Sequence, residues 1–206
     1  AGEAVTLANL GAAHADRGRE PNPGPRERES LELAIRYLSQ ALDLHRRIGD
    51  RRNEGDTLRA LAEAHRDLGD LDEALKAATQ ALELALANEE PRFTSSALIA
   101  LGTVHVRSGA GSQGLDELSR ALEVARSIQD PRLIAETHLA LADSHRRLHT
   151  FDEALLHLDD ARDLARQLRS GMLDRQCLRA TAGIEASLAL ARDTEQAEPP
   201  PKAAAS

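Results

Sequence analysis

Of its 206 residues this chain has no tryptophan, one tyrosine, two phenylalanines, one methionine and one cysteine. With so few aromatics the core has to be built of leucine, alanine and isoleucine, which suits helices that approach closely. β-Branched residues are scarce and no stretch alternates apolar and polar with a period of two, so strands are not expected. A single cysteine, Cys177, excludes an internal disulfide and fits a reducing, cytosolic setting. No apolar run reaches the ~18 residues that a membrane span needs, and no basic-then-apolar leader opens the chain. The net charge of −8 argues against gripping nucleic acid through its phosphates, which takes a basic face. A chain of this length still buries on the order of 70% of its unfolded surface.

What is present is repetition. The stretch Leu58–Leu84, LRALAEAHRDLGDLDEALKAATQALEL, reads as helix, tight turn, helix. Its first half is apolar at Leu58, Leu61, Ala62, His65 and Leu68, the three-and-four spacing of a one-faced helix. Gly69 suits a left-handed helix stop and Asp70 a cap on the next helix. The period then resumes at Leu71, Ala74, Leu75, Ala78, Ala81 and Leu82. Neither helix covers its own stripe, so the pair must stack on copies of itself. Those copies are in the chain: ALDL, ALEL, ALEV and ARDL begin at Ala41, Ala81, Ala121 and Ala161, a step of 40 each time. His65, His105 and His145 close equivalent first helices at the same step, and His14 closes another, 51 positions before His65. The first unit therefore carries an insertion between its two helices.

Taken in order, the units span about residues 1–48, 51–88, 91–128 and 131–168, followed by a more polar capping helix over 172–192. Opening almost inside a helix and without a methionine, the sequence reads as a piece of a longer protein. Pro21, Pro23 and Pro25 make 18–28 an exposed, Pro-rich loop, and the Pro/Ala-rich 193–206 a disordered tail. Pro91 and Pro131 fall at helix starts, the helical place proline favours. Gly109, Gly111 and Gly114 make the third turn the expected soft spot. His149 stands where other units carry glycine.

No residues assemble into a catalytic constellation, and the chain does not read as an enzyme. His145 and His149 are four apart, with Asp143 or His157 as a conceivable third metal ligand. The recurring histidine is flanked by apolar residues, however, so it reads as packing and no metal or other cofactor is expected. Cys177 has no partner that would activate it and reads as a buried small residue. GTVHVRSGAGSQG follows a helix and lacks the Lys-Ser/Thr of a phosphate loop.

The phrases L-x-x-L-G/A-x-x-H, G-D-x-x-E-A-L and A-L-E-L resemble tetratricopeptide repeats. Here His14, His65, His105 and His145 stand at the family's Tyr-like place, and Leu7, Leu58, Leu98 and His138 at its opening aromatic. The resemblance implies an all-α, right-handed α-solenoid of four helix-turn-helix units plus a C-terminal capping helix. The step of 40 looks like the longer-helix arrays in the C-terminal parts of bacterial transcription regulators of the antibiotic-regulatory, LuxR-like and NTPase-coupled classes. It also implies a non-catalytic, cytoplasmic scaffold that takes a protein or peptide, or other domains of its parent, in a groove lined by the first helices.

The family's groove register falls on Val5, Ala8, Ala12, Asp56, Arg59, Glu63, Arg66, Ser96, Ile99, Thr103, Val106, Glu136, Leu139, Asp143 and Arg146. Ile99, Val106 and Leu139 are then apolar anchors, with Arg59 and Arg146 orienting the ligand. The competing reading has those three packing against neighbouring helices. The carboxylate clamp of chaperone-binding members is not matched, since Ala8, Ala12, Ser96 and Ala100 stand there. A sensor that changes superhelix pitch and a structural oligomerisation array are the alternative functions.

Overall fold

The computed structural model describes residues 2–18 and 24–197, and all regular structure among them is helical. The helices are α1 (Gly2–Gly18), α2 (Pro25–Ile48), α3 (Arg51–Leu68), α4 (Leu71–Ala87), α5 (Pro91–Arg107), α6 (Gly111–Ser127), α7 (Pro131–Arg147), α8 (Phe151–Leu168) and α9 (Gly171–Ala197). Among the described residues no helix is long and apolar enough to cross a membrane.

From α3 onward the helix starts are evenly spaced, at Arg51, Leu71, Pro91, Gly111, Pro131, Phe151 and Gly171, so each sequence repeat is two structural steps. The joints explain this. Gly49, Gly69, Glu89, Gly109, Gln129, His149 and Arg169 all have positive φ and follow one another at that same interval. At each joint the N–H of this residue donates to the carbonyl three residues back, and the following N–H to the carbonyl five back. Gly49 thus reaches Arg46 at 3.3 Å and Asp50 reaches His45 at 3.0 Å; His149 reaches Arg146 at 3.2 Å and Thr150 reaches His145 at 3.0 Å. This is the Schellman closure, which satisfies the last carbonyls of one helix while turning into the next. Asp50 accepts from the Asn53 N–H, and Asp130 from the N–H groups of Arg132 and Leu133. Asp70 makes no such side-chain cap bond and lies 3.5 Å from His65.

Small residues let the helices close up. On the second helices the positions at i, i+4, i+7 and i+11 form a fully buried stripe, as Ala74, Ala78, Ala81 and Ala85 or as Ala154, Leu158, Ala161 and Ala165. Between α5 and α6 backbone comes against backbone. A Cβ on Gly102 would lie 2.7 Å from the Gly114 carbonyl oxygen, and one on Gly114 would lie 2.5 Å from that of Gly102. Gly114 therefore has a packing reason that helix propensity does not register.

Each first helix also runs close to the next first helix, α1 to α3 and on to α9, whereas successive second helices keep their backbones further apart, with Arg46 on α2 reaching Gln80 on α4 at 3.0 Å. The row α1, α3, α5, α7, α9 is therefore the inner layer of the array.

Two boundaries differ from expectation. Helix α2 begins at Pro25, inside the stretch 18–28 expected as loop, because proline is tolerated at a first helical position; residues 19–23 lie outside the described residues. Helix α9 runs on to Ala197, into the stretch expected as tail, because the first breaker is Pro199; residues 198–206 lie outside the described residues.

Two substitutions test this packing. Gly114→Ala would gain about 1 kcal/mol by helix propensity alone, yet the clash with the Gly102 backbone makes it destabilising by about 1–3 kcal/mol in urea unfolding. His149, with φ of 61°, carries a left-handed conformation costing about 1–2 kcal/mol for a residue with a Cβ. His149→Gly is expected to leave the melting temperature equal or raise it, since glycine's added unfolded-state freedom offsets only about 0.4–1 kcal/mol.

Candidate functional site on the inner face

The C-terminal turns of α3, α5 and α7 stand side by side on the inner layer and carry a continuous row of charge. The Arg66 guanidinium donates to Thr103 Oγ1 on α5 at 3.0 Å and pairs with Asp67 at 2.8 Å. Arg107 reaches back from α5 to the same Asp67 at 3.4 Å. On α7, Arg146 and Arg147 both pair with Asp143, at 2.5 and 2.8 Å, and Arg146 donates to Ser187 Oγ on α9 at 3.1 Å. Arg107 joins the two groups electrostatically. Burial first, then the nearby Arg147 and Arg66, draw its pKa down, while Asp67 and Asp143 oppose the change.

Four guanidinium groups in this row face two carboxylates, a local excess of positive charge on an acidic chain. Each is partly exposed. Asp143 is 47% exposed; desolvation raises its pKa, but Arg147 and Arg146 more than offset that and hold the carboxyl below its usual range.

The expected groove residues distribute unevenly around this row. Arg66, Thr103, Asp143 and Arg146 are in it. Arg59 and Glu63 pair with each other one to two turns earlier on α3. Ser96 turns its hydroxyl to the Arg92 carbonyl of its own helix, and Glu136 pairs with Arg132 at 3.0 Å. Val5, Ala12 and Asp56 are exposed, and Ala8 is half-buried.

The apolar trio departs from the anchor reading. Val106 is 7% exposed and lies against α6, where its methyl would meet any Cβ on Gly114; it is core. Ile99 packs on the cluster of Leu118, Leu122 and Leu141, whereas Leu139 packs on a different one containing Ala135 and Leu158. They are half-buried pieces of two clusters. The residues missed were Asp67, Arg107 and Arg147, which follow one position after the register used and recur at the repeat step; that spacing was the available signal.

The recurring histidines sit at the end of their helices and reach past the turn. His45 and His65 lie 3.5 Å from Asp50 and Asp70, His145 lies 2.8 Å from Thr150 Oγ1, and His105 lies 2.7 Å from Glu117 on α6. His14 stacks on Tyr37. His149 lies beyond the end of α7, so His145 and His149 do not share a helix face.

On the outer side, α6, α7 and α8 enclose an open cleft of about 390 Å³ lined by Leu115, Leu122, Glu123, Arg126, His145 and His157, among others. Behind it His138 and His157 bring their Nδ1 atoms to 3.1 Å. Burial lowers the pKa of both, with the neighbouring histidine adding to the effect on His157. Cys177 is buried on α9 and burial pushes its thiol up, away from nucleophilic use.

A tetratricopeptide-repeat family model matches residues 26–87. No curated protein matches the chain. Among solved structures, a Rap protein complexed with competence and sporulation factor is similar over 93% of this chain at 15% identity, with a TM-score of 0.70. Aspartyl phosphate phosphatase F from Bacillus subtilis is similar over 94% at 11% identity, TM-score 0.66, and the apo form of RapI over 95% at 12% identity, TM-score 0.65. The chain spans 50% of the length of the phosphatase, 55% of the complexed Rap protein and 70% of RapI. At these identities the likeness is one of fold, an all-α array of helical hairpins.

The paired Asp143 sets a pH dependence. Its folded-state pKa lies below the reference value of 3.8, so its contribution is present above the unfolded pKa and is lost as pH falls through the folded one. Melting temperature in wild type is expected to drop more steeply below about pH 4 than in Asp143→Asn. Parallel curves from pH 6 to 2 would remove the assignment.

Proposed function

We propose that this chain is a non-catalytic scaffold that binds an acidic, extended or helical protein segment along the inner face of α3, α5 and α7. The observation that carries this reading is the row Arg66, Asp67, Arg107, Asp143, Arg146 and Arg147. A guanidinium offers its donors in a planar fork that matches a carboxylate, so a ligand carboxylate can replace water on groups already held in place by Asp67 and Asp143. Ile99 and Leu139, half-buried pieces of their clusters, would add apolar contact through whatever surface they leave open rather than as deep pockets. Arg59 with Glu63, and Ser96, extend the seat toward the helix N-termini. That a fold neighbour is complexed with competence and sporulation factor supports a ligand-binding use of such an array.

In this reading the array is the regulatory or sensor part of a larger bacterial, cytoplasmic transcription regulator, and its ligand is another domain of the parent or a separate protein. The long repeat units support that placement. A DNA-binding or nucleotide-hydrolysing domain encoded in the same reading frame is the finding expected; a parent made only of helical repeats would overturn it.

Binding is tested by fluorescence anisotropy with labelled peptides rich in Asp, Glu and Leu, and with Lys-rich counterparts of equal length. Acidic peptides should bind, more weakly as salt rises, and Arg107→Glu with Arg147→Glu should weaken them at least about tenfold by reversing local charge. Equal binding of both peptide sets, or affinity untouched by the double substitution, would refute the reading.

A further inference from the structure

The fourth unit departs from its siblings at one place in three dimensions. His138 on α7 occupies the position held by Leu58 and Leu98 in the second and third units, and it is 3% exposed. On α8, His157 stands where Ala77 and Glu117 stand, and Asp160 where Gln80 and Arg120 stand. The histidines lie on different helices, yet all three side chains converge. His138 Nδ1 is 3.1 Å from His157 Nδ1 and 3.4 Å from Asp160 Oδ2, and one ligand atom from each residue lies within 4.8 Å of the others.

Those separations have a chemical meaning. A tetrahedral ion with metal–ligand bonds of about 2.0–2.1 Å has ligand–ligand edges of about 3.3–3.4 Å. Both distances from His138 fall near that edge. The remaining side of the triangle runs between His157 and Asp160, one turn apart on α8. Asp160 is 61% exposed and free to rotate, so closing that side needs no helix movement.

We propose that His138, His157 and Asp160 form a binding site for a single zinc-class divalent ion, with two imidazole nitrogens and one carboxylate as ligands and a fourth position left to water. Two neutral nitrogens and an anionic oxygen are the donor set that zinc, and cobalt in its place, prefers over calcium or magnesium. Without metal the two facing imidazoles share a proton, one ring donating and the other accepting; the ion takes the place of that proton. His157 also lines the cleft with Glu123, Arg126 and His145. The Arg126 cation opposes a bare positive ion, while Glu123 and Asp160 supply compensating negative charge around the cleft.

This site is separate from the inner-face row, lying on the opposite side of the array. It ties α7 to α8, the last complete hairpin before α9, and so would stiffen that end of the solenoid.

The test uses the full chain, stripped with a chelator and titrated with Zn²⁺ by calorimetry and with Co²⁺ by visible absorption. One equivalent is expected, with the intense d–d bands of tetrahedral cobalt and a metal-dependent rise in melting temperature. His157→Gln and Asp160→Asn, both outside the deepest core, should each weaken binding at least about tenfold. His138→Leu restores the residue of the other units, so it should fold at least as well and lose the site. His65→Gln should leave binding unchanged. Absence of stoichiometric binding in wild type, octahedral cobalt spectra, or affinity unaltered in His138→Leu and His157→Gln would each overturn the proposal.

Discussion

The left-handed joint that recurs at every helix end from Gly49 to Arg169 is the constraint on which this structure depends. At each one a residue with positive φ and two backbone hydrogen bonds end the helix, and the chain re-enters a helix two residues later. Because the same closure is used within a hairpin and between hairpins, consecutive helices keep similar lengths and starting points. The side chains standing at the joint vary widely, from Gly69 to Glu89, Gln129 and Arg169. Backbone bonding and the packing of both flanking helices are enough to hold bulky residues in a conformation they seldom adopt alone.

Regular joints put the same register in contact at every step, and this is why small residues recur where they do. Ala41, Ala81, Ala121 and Ala161 are all fully buried on second helices, and the Gly102–Gly114 contact takes the same principle to backbone against backbone. Close packing on one side leaves the other side of each first helix facing its successor at a distance that long side chains can bridge. Arginine fills that space. Arg66 to Thr103, Arg107 to Asp67 and Arg146 to Ser187 each cross from one unit to the next, so the residues that line the inner face are also those that couple adjacent units. A ligand carboxylate engaging them would act on the spacing of the units as well as on the surface.

The histidines show how one residue type serves two ends. At the helix ends His45, His65 and His145 reach across the joint to the residue just before the following helix. His138 is a different case, a buried imidazole in place of a leucine, and it meets His157 across the hairpin. Periodicity made His65 and His145 legible as a repeat feature, while His45, on a second helix, stands outside that register. Periodicity could not reveal His138, because a single departure carries no period and its partner lies on another helix.

By itself the sequence determined the helical class, the repeat, the hairpin register and the buried alanines, because all of these follow from spacing along one chain. The stop at Gly69 and the proline helix starts were legible for the same reason. Positive φ at Glu89, Gln129 and Arg169 was not, since it is imposed by the helices on either side against local preference. Tertiary structure also decided that Val106 is core while Arg107 joins the inner row, and that Gly114 is a contact where propensity reads a weakness. Each of these depends on which neighbour a side chain meets, and that is set by the angle and distance between helices, which no single helix encodes.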